Sequence, residues 1–181
     1  MPRPNMSQEG LDLLLEREGF HATAENLTYT TTDGKTVKEP RLTVGYGHYV
    51  LPTDINPQTG ESWKHGDEVD DGWAKQQLAL DVEDAVSAAV KQRNQLGSVD
   101  DQLMLDGLIG VNYQMGTKWR SKFPTAWKNM VQGDFDKAAT EITRGRTSST
   151  PSLWSQQTPV RVADFQKALR GDVSYYTPEY E

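Results

Sequence analysis

Cysteine is missing altogether from this chain, and histidine nearly so. Without a thiol there is no disulfide, no thiolate nucleophile and no cysteine-held zinc. The three histidines, His21, His48 and His65, lack the spacing of metal ligands, so neither a metal nor any other cofactor is expected. No apolar run approaches the ~18 residues of a membrane span. Positive charge is also short: 19 Lys and Arg stand against 26 Asp and Glu, a net charge of -7 at pH 7. No basic stripe emerges, which argues against a nucleic-acid partner. An anionic polymer would have to be held by short-range contacts, or by positive charge gathered in one cleft. The opening MPRPNMSQEG has no apolar stretch of the kind a signal peptide needs. The chain is therefore expected to be made in the cytoplasm without a signal peptide.

What is present is enough for one domain with a proper core, organised as two lobes: 181 residues, 35% of them hydrophobic. Residues 1–6 carry two prolines and are expected to fray. Ser7 is a plausible N-cap, and Glu9 in the first turn suits the helix dipole. Leu11, Leu14, Leu15 and Glu18 recur at helical spacing, which puts Glu18 on the apolar stripe of that helix. The alternative is that Glu18 belongs to the last exposed turn. Gly19 ends the helix.

Residues 20–51 read as β structure. Tyr29–Thr32 and Lys35–Val37 flank Asp33-Gly34, a hairpin turn signal. Leu42, Thr43 and Val44 resume an extended strand, and residues 52–66 read as loop. From Glu68 to about Gln92 the pattern turns helical, with Val82, Ala85, Val86, Ala89 and Val90 on one face. A helix of that length spans roughly 35 Å, enough to link two lobes. Ser98-x-x-Asp101 resembles a capping box ahead of Leu105, Leu108 and Ile109. Phe135, Ala138, Ala139 and Ile142 mark another helix. Thr158-Pro159 caps a last one, with Val162, Phe165 and Leu169 inward. The class is α+β: a small N-terminal lobe with an antiparallel β-hairpin sheet over about 7–66, a connecting helix over about 67–93 and a helical C-terminal lobe over about 98–171. Residues 172–181 form an acidic, tyrosine-rich tail.

The chemistry-bearing stretch is Thr43-Val44-Gly45-Tyr46-Gly47-His48, whose threonine stands 25 residues after Glu18. A glutamate ending an apolar helix, followed by a strand that leads into a glycine-spaced Thr/Tyr/His loop, suits a glycosidase, which pairs a proton donor with a group that handles water or the developing sugar cation.

Residues 6–20 followed by Thr43–His48 resemble the start of the phage-type lysozymes, the muramidases of glycoside hydrolase family 24. Val111-Asn112-Tyr113-Gln114-Met115-Gly116 resembles that family's helix-to-loop segment, and Trp154-Ser155-Gln156-Gln157-Thr158-Pro159-Val160-Arg161 its Trp-x-x-Gln-Thr-Pro-x-Arg stretch. Order and approximate spacing hold over most of residues 7–171. The resemblance implies a lysozyme-like fold and cleavage of the β-1,4 bond between N-acetylmuramic acid and N-acetylglucosamine in peptidoglycan. It assigns Glu18 as general acid, Thr43 as the residue that positions the attacking water and Arg161 as an arginine paired with the acid. It matches His48 and Asp81 to a structural pair, and Gln114 and Gln157 to positions lining the saccharide cleft. Tyr46, in the same loop, joins the substrate-binding candidates. Trp154 reads as core. Arg161 would lie in the first turn of a capped helix, where the dipole disfavours a cation, so a carboxylate partner would explain its placement; the alternative is a solvated surface arginine.

The family's second carboxylate, nine residues after the acid and six before the threonine, falls here on Leu27 and Val37. The pesticin-like branch places an aspartate six residues after the threonine, and here that position is Tyr49. A two-residue turn at Asp33-Gly34 would pair residues whose numbers sum to 67, setting Thr43 opposite Ala24 with Glu25 the one carboxylate within a residue of it. Glu39 would lie roughly 13 Å from Thr43 along the strand. Glu25 is therefore the candidate base or cation stabiliser, and an exposed strand charge is its alternative. A bulge at Pro40 would turn Glu25 away and bring Asn26 in its place.

These observations predict a muramidase that acts as a monomer on bacterial peptidoglycan, in the periplasm or wall, after release or delivery from the cytoplasm. An immunity or inhibitor protein is the one protein partner left open. A binding or scaffold protein on the same fold is the rival, since fold does not fix function, and a delivered effector or a domain of a phage spike would share the chemistry.

Overall fold

The computed structural model describes residues 5–31, 33–144 and 150–177. The expected disorder of residues 1–4, the hairpin strand position Thr32 and the tail beyond residue 177 lie outside them. The chain divides into two compact units: Leu15–Asp81, and Met1–Leu14 together with Val82–Glu181.

In the larger unit, helix α1 (Gln8–Glu18) opens as the sequence requires, with the Gly10 amide donating to Ser7 Oγ at 3.0 Å. Its buried positions are Gly10, Leu13 and Leu14, whereas Leu11 and Leu15 are half-buried. The apolar stripe is thus turned by part of a helical step from the expected one, because Leu13 packs against Ala168 and Tyr175. Helix α1 ends in the smaller unit, since the boundary between units falls after Leu14.

The connecting helix expected over about 67–93 is instead two: α2 (Asp71–Asp81) and α3 (Glu83–Gln95). Val82 separates them with ψ of -6°, against about -42° in a regular α-helix. Helix α4 (Gln102–Met115) buries Leu105, Leu108 and Ile109 completely. Its cap is Asp101, whose Oδ1 accepts from the Met104 amide at 2.9 Å, and not the expected Ser98. Around it stand α5 (Pro124–Val131), α6 (Phe135–Glu141), α7 (Leu153–Gln157) and α8 (Pro159–Leu169). Trp119, Ile142, Trp154 and Phe165 complete this core. Burying each such side chain contributes roughly 1.5–3 kcal/mol.

Both ends of the described chain tie into α4. Asp106, fully buried, accepts from the Ser7 amide at 2.9 Å, from Ser7 Oγ and from Tyr176 Oη at 2.7 Å. Asn5 O accepts from Gln102 Nε2 at 2.9 Å and Met6 packs on the core, so these two residues of the expected frayed end are held. A 3-10 turn, Val173–Tyr176, seats the start of the tail with Tyr175 only 5% exposed.

The smaller unit holds strands β1 (His21–Glu25), β2 (Thr28–Thr30), β3 (Thr36–Lys38), β4 (Thr43–Gly45) and β5 (His48–Tyr49). β2 and β3 form the expected hairpin, but in the register Tyr29↔Val37, whose numbers sum to 66 rather than 67. The Thr31 amide bonds Lys35 O at 2.8 Å, and Gly34 takes φ of +81°, so the connection is one residue longer than the two-residue turn expected. A separate antiparallel sheet has the order β1-β4-β5, with β4 central. Ala24, Val44, Val50, Trp63 and Val69 form its core, with Trp73 of α2 packed against it.

Candidate active site

Glu18, the last residue of α1, is half-buried. The turn between β4 and β5 lies against it. A β-carbon built on Gly47 would come within 2.9 Å of Glu18 Oε2, and Gly47 has φ of +77°. Only glycine satisfies both demands, since side chains rarely adopt that backbone region and the carboxylate occupies the space one would need. Gly45, at φ of +64°, lets β4 close on α2: a β-carbon there would lie 3.0 Å from Ala74 Cβ. The two glycines of the Thr43–His48 stretch thus seat the sheet on α2 and bring the loop to the acid.

Thr43 occupies the central strand and is 3% exposed. Among the described residues, its Oγ1 is one of two buried side-chain polar atoms without a hydrogen-bond partner. A buried hydroxyl in that condition costs about 1–3 kcal/mol, and such groups mark sites of function or bound water. Directly across the ladder, Glu25 pairs with Thr43. The register shifts within β1, from His21↔Gly45 to Glu25↔Thr43. A second offset lies around Pro40. The hairpin register holds as far as the bond between the Glu39 amide and Leu27 O. From there Glu25 is two residues away on one strand while Thr43 is four away on the other, which sets Thr43 opposite Glu25 and not Ala24. Ala24 goes to the core at 0% exposure, and Glu25 is exposed. Asn26, the alternative neighbour, donates to Glu39 O at 3.1 Å.

His48, on β5, is held between two carboxylates: Nδ1 lies 2.8 Å from Asp81 Oδ2, and Nε2 lies 3.3 Å from Asp54 Oδ2. Burial opposes the charged imidazole, but the hydrogen bond and charge of Asp81, with those of Asp54, outweigh it and raise the His48 pKa. Gln77 Nε2 donates to the other oxygen of Asp81 at 2.8 Å. The sequence carried no sign of Asp54, which arrives from the 52–66 loop. Tyr46 donates to Asp71 Oδ1 at 2.5 Å, and Asp71 pairs with Lys75 Nζ at 2.6 Å. The hydrogen bond to Asp71, then burial, raises the Tyr46 hydroxyl pKa.

Glu18, Glu25, Thr43, Tyr46, His48 and Asp81 all belong to the smaller unit. Gln114, Gln157 and Arg161 belong to the larger one and are described within it. Gln114 accepts from Trp154 Nε1 at 2.9 Å and donates to Thr158 Oγ1 at 3.1 Å. That engagement explains why Thr158 precedes α8 without capping it through its side chain: the hydroxyl bonds Trp154 O at 3.1 Å instead. Gln114, Gln157, Phe123 and Trp154 line a cleft of about 550 Å³. Trp154 is 5% exposed and sits in the core, as its sequence context suggests. Arg161 stands in the first turn of α8, half-buried, and its charge acts on the Tyr175 hydroxyl.

No described helix is long and apolar enough to cross a membrane. No curated protein matches the chain. A family model described as Phage lysozyme matches residues 16–153, a span that takes in Glu18, Glu25, Thr43, His48, Asp81 and Gln114.

Proposed function

The chain belongs to the phage lysozyme family, glycoside hydrolases that act on peptidoglycan, and from that premise we propose that it is a muramidase whose general acid is Glu18. The observation that carries the assignment is the seat of Glu18 against the Gly47 turn, on the sheet whose central strand holds a buried, unpartnered Thr43 hydroxyl opposite Glu25. Glu18 protonates the oxygen of the β-1,4 bond between N-acetylmuramic acid and N-acetylglucosamine. Water held by Thr43 and activated by Glu25 attacks the anomeric carbon from the other face. Attack by water inverts the configuration, whereas attack by a carboxylate would retain it. The oxocarbenium-like transition state gains from the negative charge of Glu25.

The pair of His48 and Asp81 holds β5 to the end of α2 and supports the loop from behind. Gln114 and Gln157 are proposed to contact saccharide, and Arg161 keeps the supporting role that the resemblance gives it. No nucleic acid is proposed to take part. Delivery to the periplasm or wall follows from the substrate, and gene order distinguishes its route: a neighbouring holin marks an endolysin, an immunity gene a delivered effector.

One observation favours a second reading, a saccharide-binding protein without turnover: Leu27, Val37 and Tyr49 stand where the family's branches place a second carboxylate, and Glu25 is exposed. Release of reducing ends from purified peptidoglycan separates the two. A muramidase liberates fragments ending in N-acetylmuramic acid, and inverted configuration at that carbon, read by proton NMR during turnover, identifies attack by water. Binding without release would support the second reading.

A further inference from the structure

Phe20 stands two residues beyond Glu18 and is 43% exposed. A single exposed aromatic side chain is ordinary. This one is not single: its ring centroid lies 5.4 Å from that of Tyr46, with the ring planes inclined at 38°. Tyr46 is in turn fixed by its hydroxyl bond to Asp71 at 2.5 Å, and Asp71 by Lys75 at 2.6 Å. The pair brackets the acid in sequence, because Phe20 follows Glu18 across the end of α1 and Tyr46 precedes the Gly47 that meets the Glu18 carboxylate. Neither ring is consumed by the core of this unit, which is built from Ala24, Val44, Val50, Trp63 and Val69.

A β-linked amino sugar carries its hydroxyl, acetamido and ether groups around the rim of the ring. Its two faces present C–H bonds, which carry partial positive charge. Such a face complements the negative face of an aromatic ring and displaces water from both. Tyr46 adds a hydroxyl whose proton is directed to Asp71, so its oxygen remains an acceptor for a sugar hydroxyl.

We infer that Phe20 and Tyr46 form an aromatic step that takes the C–H face of an N-acetylhexosamine ring beside the scissile bond, with Phe20 as a specificity-determining residue and Asp71 as the group that orients Tyr46. This inference rests on the muramidase reading of the same site.

Titration calorimetry of the full chain with a β-1,4-linked N-acetylglucosamine oligomer tests it, with wild type beside Phe20→Ala, Phe20→Tyr and Tyr46→Phe. Thermal melts confirm folding. Loss of one well-placed aromatic contact is expected to weaken binding about tenfold in Phe20→Ala. Phe20→Tyr should bind within about twofold of wild type, because the ring is restored. Tyr46→Phe, which frees the ring from Asp71, should fall between them. On peptidoglycan, Phe20→Ala should raise KM by more than it lowers kcat. Equal affinity in wild type and Phe20→Ala overturns the inference, and so does a wild type that does not bind the oligomer. Reducing-end release measured on the same samples keeps the two readings apart. A wild type that binds through Phe20 without releasing reducing ends sinks the muramidase assignment. One that hydrolyses peptidoglycan while Phe20→Ala binds and turns over unchanged sinks the aromatic step alone.

Discussion

Oε2 of Glu18 lies 2.9 Å from the point where a β-carbon on Gly47 would stand, too close for the two to coexist unmoved. Gly47→Ala therefore forces either the carboxylate or the turn to move. Backbone strain at φ of +77° adds to the cost. The variant should lose about 1–2 kcal/mol of stability and about 100-fold in turnover, the scale of an ångström-sized misplacement. Thermal melts and reducing-end assays check the two effects separately. Full activity in Gly47→Ala would mean that this approach does not position the acid.

Glu25 is exposed, so its replacement should leave folding within about 0.5 kcal/mol of wild type. Glu25→Gln should nonetheless lower kcat by about 100-fold if the carboxylate activates water. Equal rates in Glu25→Gln and wild type would leave Thr43 without a carboxylate partner in the reaction. Azide or formate added to Glu25→Ala offers a chemical readout, since a small anion can replace the missing group.

His48 should make the smaller unit sensitive to pH. Its folded-state pKa is raised by Asp81 and Asp54 against the opposing effect of burial, from an unfolded value of about 6.5. The contribution is thus fully present below about pH 6.5 and is lost as pH rises through the raised folded value. A charge-assisted hydrogen bond of this kind contributes roughly 1.5–3 kcal/mol. Wild type should be more stable than His48→Asn at pH 6, with the gap narrowing on the alkaline side. NMR titration of the imidazole fixes the midpoint. A gap independent of pH would contradict the role of the charged form.

The core of the larger unit contains a reciprocal amide pair. Gln92 Nε2 donates to Asn112 Oδ1 at 3.0 Å, Asn112 Nδ2 donates back to Gln92 Oε1 at 2.7 Å, and Trp119 Nε1 joins at 3.2 Å. Asn112→Leu strands the buried Gln92 amide and should cost about 1–3 kcal/mol. Adding Gln92→Leu removes the stranded amide but takes the acceptor from the buried Trp119 Nε1, so the double variant should lose less than the sum of the two single losses. Additive losses in the double variant, measured by denaturant unfolding, would show that the pair does not act as a unit.

Local chemistry carried much of this fold into the sequence. Ser7 as cap, the Thr43–Gly45 strand, the hairpin around Asp33-Gly34 though not its register, and the buried face Leu105, Leu108 and Ile109 all follow from short-range pattern. What the sequence hid depended on tertiary partners. The break at Val82 falls on an apolar residue in unbroken helical periodicity, so no glycine or proline announces it. Thr158 has the composition of a cap, but Gln114 and Trp154 O engage its hydroxyl. Gln92 and Asn112 look like solvated polar residues until each is seen to satisfy the other. Helices α5 and α7 are short, and their apolar positions are too few to establish a period.

The candidate site divides in the same way. Glu18 and Thr43 stood out by residue type and spacing. Glu25 could be placed near Thr43 only by counting across a hairpin, and the register offset around Pro40 changed its partner by one residue. Asp54 reaches His48 from a loop whose path no local pattern determines.

The most direct test is digestion of purified peptidoglycan by wild type and by Glu18→Gln, with reducing ends assayed and fragments identified by mass spectrometry. Fragments ending in free N-acetylmuramic acid, released by wild type and absent from a folded Glu18→Gln, are the predicted result. Equal release by both proteins would contradict the role of Glu18 as the acid, and no release by a folded wild type would contradict the assignment as a muramidase.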